Sequence, residues 1–354
     1  MSQIIKSYYI HCPIKARSIK PSIAILLVCL CVLFSGCNRQ EKYSPHTLRI
    51  GVAVYLQSDT FISTLLQNLE RLAQQQEEKE SIKINLNILD AHGSQIVQNE
   101  QIDRLIGLNY DVLCVNIVDR TSAALLIDKA KEADIPIIFF NREPVQEDIL
   151  RWEKVYYVGA RAEDSGVLQG EMILNYWQKD SDKLDKNGDG VLQYVMLEGE
   201  PGHQDTLLRT EYSVQTLIEG GLTVEKLASN TANWDRSQAH ARMSQWIQEL
   251  PVLPEIIISN NDDMALGAID ALLQAEVSPD QMPMTVGVDS TPAALDAIRQ
   301  GTMYGTVLND AQGIAEEILR LATGLQKKDF STQQQKDQYI WLPYTAVTCE
   351  NLTQ

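Results

Sequence analysis

The residues best suited to chemistry are oxygen donors at alternating positions of the stretch 185–193. Their spacing matches the first nine positions of an EF-hand calcium loop, and they are Asp185, Asn187, Asp189, the backbone carbonyl of Val191, and Gln193. The twelfth position, where a bidentate Glu belongs, is Met196. Either a distant carboxylate completes the set, or the loop binds weakly, or it is only a hydrophilic turn. The alternating oxygens favour a metal over a turn.

A second group of polar and aromatic side chains stands just beyond apolar runs of strand length. Its members are Asp59, Phe61, Asn141, His203, Asp205, Arg209, Trp234, Asn261, Asp289 and Asn309. Amides, carboxylates and a guanidinium are the planar groups that hydrogen-bond sugar hydroxyls. The rings of Phe61 and Trp234 suit the C–H faces of a pyranose. The group therefore predicts a sugar site.

Each of these residues also has a purely structural interpretation. Asn141 and Asp289 are of types that cap helices. Asp205 and Arg209, four residues apart, could form a helix-surface pair, and the two aromatic side chains could belong to the core. The group contains no nucleophile, and residues 199–204 lack the Lys that ends a phosphate-binding loop. Because so many such residues converge on strand ends, a ligand site is favoured over caps and core.

The elements that must position these residues follow from an alternation of apolar runs and amphipathic stretches, which is typical of α/β proteins. Strands are predicted at 48–55, 82–89, 111–115, 136–140, 155–158, 192–197, 223–227, 255–259, 285–288 and 305–308. Helices are predicted at 61–80, 94–108, 121–133, 165–177, 206–219, 237–249, 263–274, 292–300 and 311–325. So many strands exceed one ordinary doubly wound sheet. We therefore expect two lobes, each a parallel sheet flanked by helices, with ligands beyond the carboxyl ends of the strands.

The amino terminus predicts export from the cytoplasm. Residues 1–36 carry four basic and no acidic side chains and include the apolar run 23–34. Ser35-Gly36-Cys37 resembles a lipobox, at which Cys37 would be acylated, and residues 38–47 would form a tether. Removing the signal leaves 26 of the 30 basic residues against 47 acidic ones, so the formal charge moves from −17 to −21, which opposes nucleic acid binding. Only Cys114 and Cys349 then remain besides Cys37, so no disulfide framework is predicted.

The strand-end motifs resemble those of the galactose/glucose-binding proteins of bacterial sugar uptake, which have the type I periplasmic-binding-protein fold. The likeness covers nearly all of residues 48–352. It rests on Pro-Ile-Ile-Phe-Phe-Asn-Arg-Glu-Pro at 136–144, Gly-Glu-Pro-Gly-His-Gln-Asp at 199–205, Trp-Asp at 234–235, Ser-Asn-Asn-Asp-Asp-Met-Ala at 259–265, Gly-Val-Asp at 287–289 and Gly-Thr-Val-Leu-Asn-Asp at 305–310.

The resemblance implies a role for both groups of residues. All ten strand-end residues fall on sugar-contacting positions, with Phe61 and Trp234 sandwiching the ring. Asp59 would meet the C4 hydroxyl in either epimer, so that both D-glucose and D-galactose are accepted. Asn116, although it follows a strand, is not among the implied contacts. Glu255 would complete a structural calcium site with the loop.

The resemblance also implies three crossings between lobes, near 158–160, 310–312 and 343–345. The amino-terminal lobe would then comprise 48–158 with 311–343, and the carboxyl-terminal lobe 159–310 with 345–354. A sugar lying between the lobes would favour a closed arrangement over an open one.

The sequence thus predicts an extracytoplasmic, lipid-anchored, monomeric receptor that delivers a monosaccharide to the permease of an ABC importer. An alternative is a sensor that presents its closed form to a chemoreceptor or sensor kinase. A glycosidase using Asp205 and Asp289 is disfavoured, because Arg209 is expected to keep Asp205 ionised. A transcriptional regulator is disfavoured because no helix-turn-helix precedes residue 48 and the surface is acidic.

Overall fold

The structure, a computed structural model, describes residues 47–80, 82–327 and 338–352. The predicted signal segment 1–36, the lipidation site Cys37 and residues 38–46 of the predicted tether lie outside these ranges. Within the described ranges, no helix is long and apolar enough to cross a membrane.

Two six-stranded sheets carry the fold. The first contains β1 (Thr47–Val54), β2 (Lys83–Asp90), β3 (Val112–Val115), β4 (Ile137–Phe140), β5 (Val155–Gly159) and β11 (Tyr339–Trp341). The second contains β6 (Leu192–Glu198), β7 (Val224–Thr231), β8 (Ile256–Ser259), β9 (Met284–Val288), β10 (Gly305–Leu308) and β12 (Thr345–Thr348). Their orders are β11-β5-β4-β3-β1-β2 and β12-β10-β9-β8-β6-β7.

Helices follow most strands and cover the sheets. They are α1 (Thr60–Glu80), α2 (Gln95–Gly107), α3 (Ala123–Glu132), α4 (Gln146–Ile149), α5 (Ala162–Leu184), α6 (Gln204–Glu219), α7 (Arg236–Glu249), α8 (Asp262–Gln274), α9 (Pro292–Gln300) and α10 (Ala311–Lys327), with a short 3-10 helix at Arg120–Ser122. The central strands β3, β4 and β8 are buried at every residue because helices cover both faces of each sheet. The edge strands β2 and β7 are only partly buried.

The expected fold class is confirmed, with one exception to the parallel pattern. All pairings are parallel except that of β10 with β12, which is antiparallel. All ten predicted strands are present, while β11 and β12 were not predicted. The chain passes from one sheet to the other after β5, after β10 and between β11 and β12. These passages bring the carboxyl ends of both sets of parallel strands toward one place.

Candidate functional site

The carboxyl ends of strands from both sheets surround one narrow cavity of about 40 Å³. It is lined by Tyr55, Asp59, Phe61, Asn141, Arg142, His203, Asp205, Arg209, Trp234, Asn261 and Asp289. Nine of the ten residues predicted for the sugar site are therefore together. On the same scale one water needs roughly 10–15 Å³. A ligand larger than a few waters must touch most of these walls.

The first sheet contributes Tyr55, Asp59 and Phe61 at the end of β1 and the start of α1. The Tyr55 hydroxyl donates to Asp59 Oδ2 at 2.6 Å, and the Ile62 N–H donates to Asp59 Oδ1 at 2.8 Å. These two donors fix the Asp59 carboxylate, while each of its oxygens keeps a lone pair for a ligand. Phe61 is 7% exposed and belongs to the core cluster around β1. Its core role and its place in the cavity wall are thus compatible.

Asn141 follows β4 in the left-handed conformation, with φ +60°. The Tyr157 hydroxyl donates to its backbone carbonyl at 2.9 Å, and Asn116 Nδ2 donates to its side-chain oxygen at 3.1 Å. Asn116 is fully buried and does not line the cavity. It therefore orients Asn141 from behind, which leaves the Asn141 amide N–H groups for the cavity.

Arg142 joins the two sides of the cavity through an interlobe ion pair with Glu200. Its two terminal nitrogens lie 3.0 Å from the two Glu200 oxygens, and its guanidinium stacks 3.4 Å from the centre of the Tyr55 ring. The Arg142 side chain is 6% exposed and that of Glu200 is 35% exposed. Gln204 Nε2 donates across the same gap to Glu143 Oε2 at 3.0 Å. The two lobes are therefore held against each other on this side of the cavity.

A further contact between the lobes lies at the start of α1. The Thr60 hydroxyl donates to the Asp263 carboxylate at the start of α8. Asp59 and Asn261 line the cavity, and Thr60 and Asp263 stand one and two residues after them. This hydrogen bond therefore joins the two lobes next to the cavity. Together with the interlobe ion pair, this contact marks the arrangement as closed.

His203 caps the start of α6 and is held as a neutral hydrogen-bond donor. Its Nδ1 accepts the backbone N–H of Asp205 at 3.1 Å, so the ring proton resides on Nε2. Burial lowers the pKa of His203 well below its usual range, and the positive charges of Arg142 and Arg209 lower it further. A neutral imidazole with a free Nε2–H suits a ligand hydroxyl.

Asp205 and Arg209 form a buried pair on the first turns of α6, so the alternative of a surface pair does not hold. Arg209 Nη2 donates to Asp205 Oδ2 at 2.9 Å and to the Tyr344 hydroxyl at 3.2 Å, while Nη1 donates to the Asn260 carbonyl at 2.8 Å. Burial raises the pKa of Asp205, while the positive charge of Arg209 opposes this shift. Desolvation outweighs the opposite charge at this depth. Arg209 Nε is buried without a hydrogen-bond partner.

Trp234 faces the cavity from the loop after β7. Asn233 and Trp234 both have left-handed backbones, with φ +50° and +63°. The ring packs so closely on Gly199 that a Cβ there would overlap it. Its backbone carbonyl accepts from Asn261 Nδ2 at 3.3 Å, and its ring meets that of His203 edge-on at 5.3 Å. The indole therefore has one fixed position.

Asp289 completes the second-sheet wall at the end of β9, and Asn309 lies behind it at the end of β10. Asn309 Nδ2 donates to Asp289 Oδ1 at 3.3 Å. Asn309 is 4% exposed and supports Asp289 rather than lining the cavity in this closed form. Burial raises the pKa of Asp289 well above its usual range, with Arg209 opposing the shift.

The predicted calcium loop follows α5 and is organised around its oxygen donors. Asp185 accepts the N–H groups of Gly188 and Gly190 at 2.8 and 2.9 Å. Glu255 Oε1 accepts the Lys186 N–H at 2.6 Å, and its Oε2 accepts the Gln193 N–H at 3.0 Å. The distant carboxylate therefore touches both ends of the loop.

The loop supplies the carboxylate, amide and backbone carbonyl oxygens that calcium prefers. Burial raises the pKa of Glu255, and the nearby charge of Asp185 raises it further, a repulsion that a cation would relieve. Asn187 and Asp189 are linked by a hydrogen bond at 3.0 Å within the same turn. Across the described residues, no group of three or more His, Cys, Asp or Glu side chains suffices to hold a metal ion. A cation here would depend on amide and backbone carbonyl oxygens as well.

Two cavity residues, Tyr55 and Arg142, and the supporting Tyr344 were not predicted. Arg142 directly follows Asn141 within the quoted motif 136–144, so its position alone could have identified it. Tyr55 directly follows β1, and in the sequence it looks like the last residue of the strand predicted at 48–55. Tyr344 lies between β11 and β12, which were themselves not predicted.

This fold, with a polar cavity at the strand ends between two α/β lobes, is that of a periplasmic substrate-binding protein. The periplasmic binding protein domain matches residues 50–329, and the chain belongs to that family. Over 309 residues the chain is 36% identical to the D-galactose/methyl-galactoside binding periplasmic protein MglB of Haemophilus influenzae, covering 86% of this chain and 90% of that protein. The resemblance noted in the sequence is thereby confirmed.

Other relatives share the fold and differ in ligand. An ABC transporter solute binding protein of Bacillus halodurans, solved with bound myo-inositol, matches with a TM-score of 0.74 and 27% identity, covering 88% of this chain and 98% of that one. A xylitol-binding protein of Mycolicibacterium smegmatis is 28% identical over 264 residues, covering 75% of this chain and 68% of that protein. The chain is accordingly a binding protein and not an enzyme.

Proposed function

We propose that this protein captures D-galactose or D-glucose between its two lobes and delivers it to an ABC importer outside the cytoplasm. The observation that carries the proposal is the polar cavity at the strand ends, to which both sheets contribute carboxylates, amides and an aromatic ring. The relative with 36% identity is described as binding D-galactose and methyl-galactoside, which favours an aldohexose over the polyols of the more distant relatives.

The chemistry of the slot supports a polyhydroxylated ring. Each sugar hydroxyl donates one hydrogen bond and accepts up to two. The carboxylates of Asp59, Asp205 and Asp289 supply acceptors, while His203 Nε2–H and the partnerless Nε–H of Arg209 supply donors. A ligand oxygen at Arg209 would satisfy a buried donor that otherwise costs free energy.

Two aromatic rings from opposite sides complete the proposed sugar site. Phe61 belongs to the first sheet's lobe and Trp234 to the second sheet's lobe, and both line the slot. We place the pyranose between them, with its C–H faces against the rings. Only the closed arrangement then offers the sugar both faces, so binding shifts the protein toward closure.

Small-angle X-ray scattering tests this mechanism. Saturating D-galactose is expected to reduce the radius of gyration, because the lobes close around it. An unchanged scattering curve, in a sample in which calorimetry confirms saturation, would rule out sugar-driven closure.

We further propose a structural calcium ion held by Asp185, Asn187, Asp189, the Val191 carbonyl, Gln193 and Glu255. The loop joins α5 to β6, so a cation there would stabilise the lobe that carries His203 and Trp234 without touching the sugar. Acylation at Cys37 would anchor the protein to the membrane near its permease. Presentation of the closed form to a chemoreceptor remains the second candidate for the output of sugar binding.

A further inference from the structure

Behind the cavity wall, Asp262 is a fully buried carboxylate that ties together three elements. It is the first residue of α8, and it does not line the cavity. Its Oδ1 accepts the hydroxyl of Thr306 in β10 at 2.6 Å, and its Oδ2 accepts the backbone N–H of Thr291 at 2.7 Å. Both oxygens act as acceptors, which is the arrangement of an ionised carboxylate.

Thr306 extends this connection to the turn that follows β9. Its Oγ1 accepts the backbone N–H of Ser290 at 3.2 Å while its own proton goes to Asp262. A hydroxyl can donate one hydrogen bond and accept others, so both contacts coexist. The turn 289–291 is therefore held at Ser290 through Thr306 and at Thr291 by Asp262 directly.

The turn needs such support because its backbone is strained. Asp289 has φ +116° and Ser290 has φ +55°, values that L-residues rarely adopt. Conformations of this type persist where the surroundings hold them, and they concentrate at functional sites. Asp289 is the one cavity-lining residue in this turn.

Asp262 packs closely against β9, the strand that leads into this turn. A Cβ at Gly287, two residues before Asp289, would overlap Asp262 Oδ1. Burial raises the pKa of Asp262 to about 7, while its hydrogen bonds from Thr306 and Thr291 oppose the shift. Burial disfavours the ionised form of Asp262, although each of its oxygens accepts a hydrogen bond. Because burying such a group costs free energy, we expect it to do more than fill the core.

We propose that Asp262 and Thr306 are positioning residues that hold the strained turn so that the Asp289 carboxylate faces the sugar. The inference rests on the proposed function, because it assigns Asp289 to sugar binding. Neither residue touches the ligand, and each acts through Asp289.

The test compares Thr306→Val, Thr306→Ser and Asp262→Asn by calorimetric titration with D-galactose and D-glucose. Val removes the hydroxyl at constant shape, whereas Ser retains it. Thr306→Val and Asp262→Asn are expected to raise the Kd at least tenfold, and Thr306→Ser to remain within twofold of wild type. Thr285→Val serves as the matched control, since this buried β9 hydroxyl donates only to the Pro283 carbonyl.

A double-mutant cycle separates positioning from general destabilisation. In an Asp289→Asn background, Thr306→Val is expected to cause no further loss of affinity, because the carboxylate that Thr306 would position is already absent. Equal Kd values for wild type and Thr306→Val, or an equal loss with and without Asp289, would overturn the inference. If Thr306→Val does not fold, Asp262→Asn carries the same cycle at unchanged side-chain volume.

Failure of the inference and failure of the proposed function are distinguishable in the same titrations. If the wild type binds a hexose and Thr306→Val binds it with the same Kd, only the positioning role is refuted. Wild type that binds no hexose refutes both.

Discussion

Replacing Glu200 by Gln tests whether the interlobe ion pair stabilises the closed form. The substitution keeps the side-chain shape, removes the charge and leaves Arg142 buried without a charged partner. Glu200 does not line the sugar cavity, so its contacts to the ligand are not at issue. Its partner Arg142 does line the cavity, so scattering of the ligand-free and sugar-bound variant is needed to separate an effect on closure from a displaced Arg142.

The magnitude follows from the geometry of the pair. Hydrogen bonds to charged groups contribute about 1.5–3 kcal/mol, and exposed ion pairs only about 0–1 kcal/mol. The Arg142 guanidinium is 6% exposed and makes two contacts of 3.0 Å, which favours the first range. Because the Glu200 side chain is 35% exposed, solvent screening lowers the expected contribution of the pair to about 1.5 kcal/mol. If the ligand-free protein is mostly open, this loss lowers the closed population about tenfold and raises the Kd by the same factor.

Calorimetric titration of the Glu200→Gln variant with D-galactose measures the effect. Asp270→Asn is the matched control, because Asp270 accepts two hydrogen bonds from Arg236 at 2.7 and 3.0 Å on the surface of one lobe. The control should leave the Kd unchanged. A Kd for Glu200→Gln within twofold of wild type would refute the argument that this pair stabilises closure.

Three further predictions address the metal loop, the neutral histidine and the aromatic wall. Chelation of calcium is expected to lower the melting temperature, because a ligand at a hundredfold excess over its Kd stabilises the fold by about 2.7 kcal/mol. The Glu255→Gln variant should lose most of this calcium-dependent shift. An unchanged calcium affinity in that variant would exclude Glu255 as a ligand. His203 should remain neutral at pH 6.5, where an ordinary imidazole is half protonated, so its nitrogen NMR shifts should not titrate there. Because its pKa is lower in the folded than in the unfolded protein, the unfolded state binds the proton first, and the free energy of unfolding falls as the pH drops below about 6.5. Gly199→Ala should displace the Trp234 ring and weaken sugar binding while leaving the calcium-dependent stabilisation intact, and wild-type affinity in this variant would contradict the fixed position of the indole.

Most of the fold was predictable because buried parallel strands have an unmistakable composition. The runs at 112–115, 137–140 and 256–259 are almost entirely apolar, as a strand covered on both faces requires. The strands β11 and β12 escaped prediction because they are three and four residues long and only partly buried. Such edge strands depend on a neighbouring strand that is distant in sequence.

The candidate site was predictable to the extent that strand ends place its residues. Asp59, Asn141 and Asp289 each follow a strand, so the topology alone brings them to one edge. The pairing of Arg142 with Glu200 was not predictable, because it joins residues from different lobes and depends on how the lobes close. The raised pKa of Asp205 likewise depends on burial, which outweighs the neighbouring Arg209 only in the folded structure.

Calorimetric titration of the protein with a panel of monosaccharides tests the central claim most directly. Binding of D-galactose or D-glucose at one site per chain, with weaker or no binding of myo-inositol and xylitol, is the predicted result. Saturable binding to neither hexose would contradict the account, whatever the outcome for the other ligands.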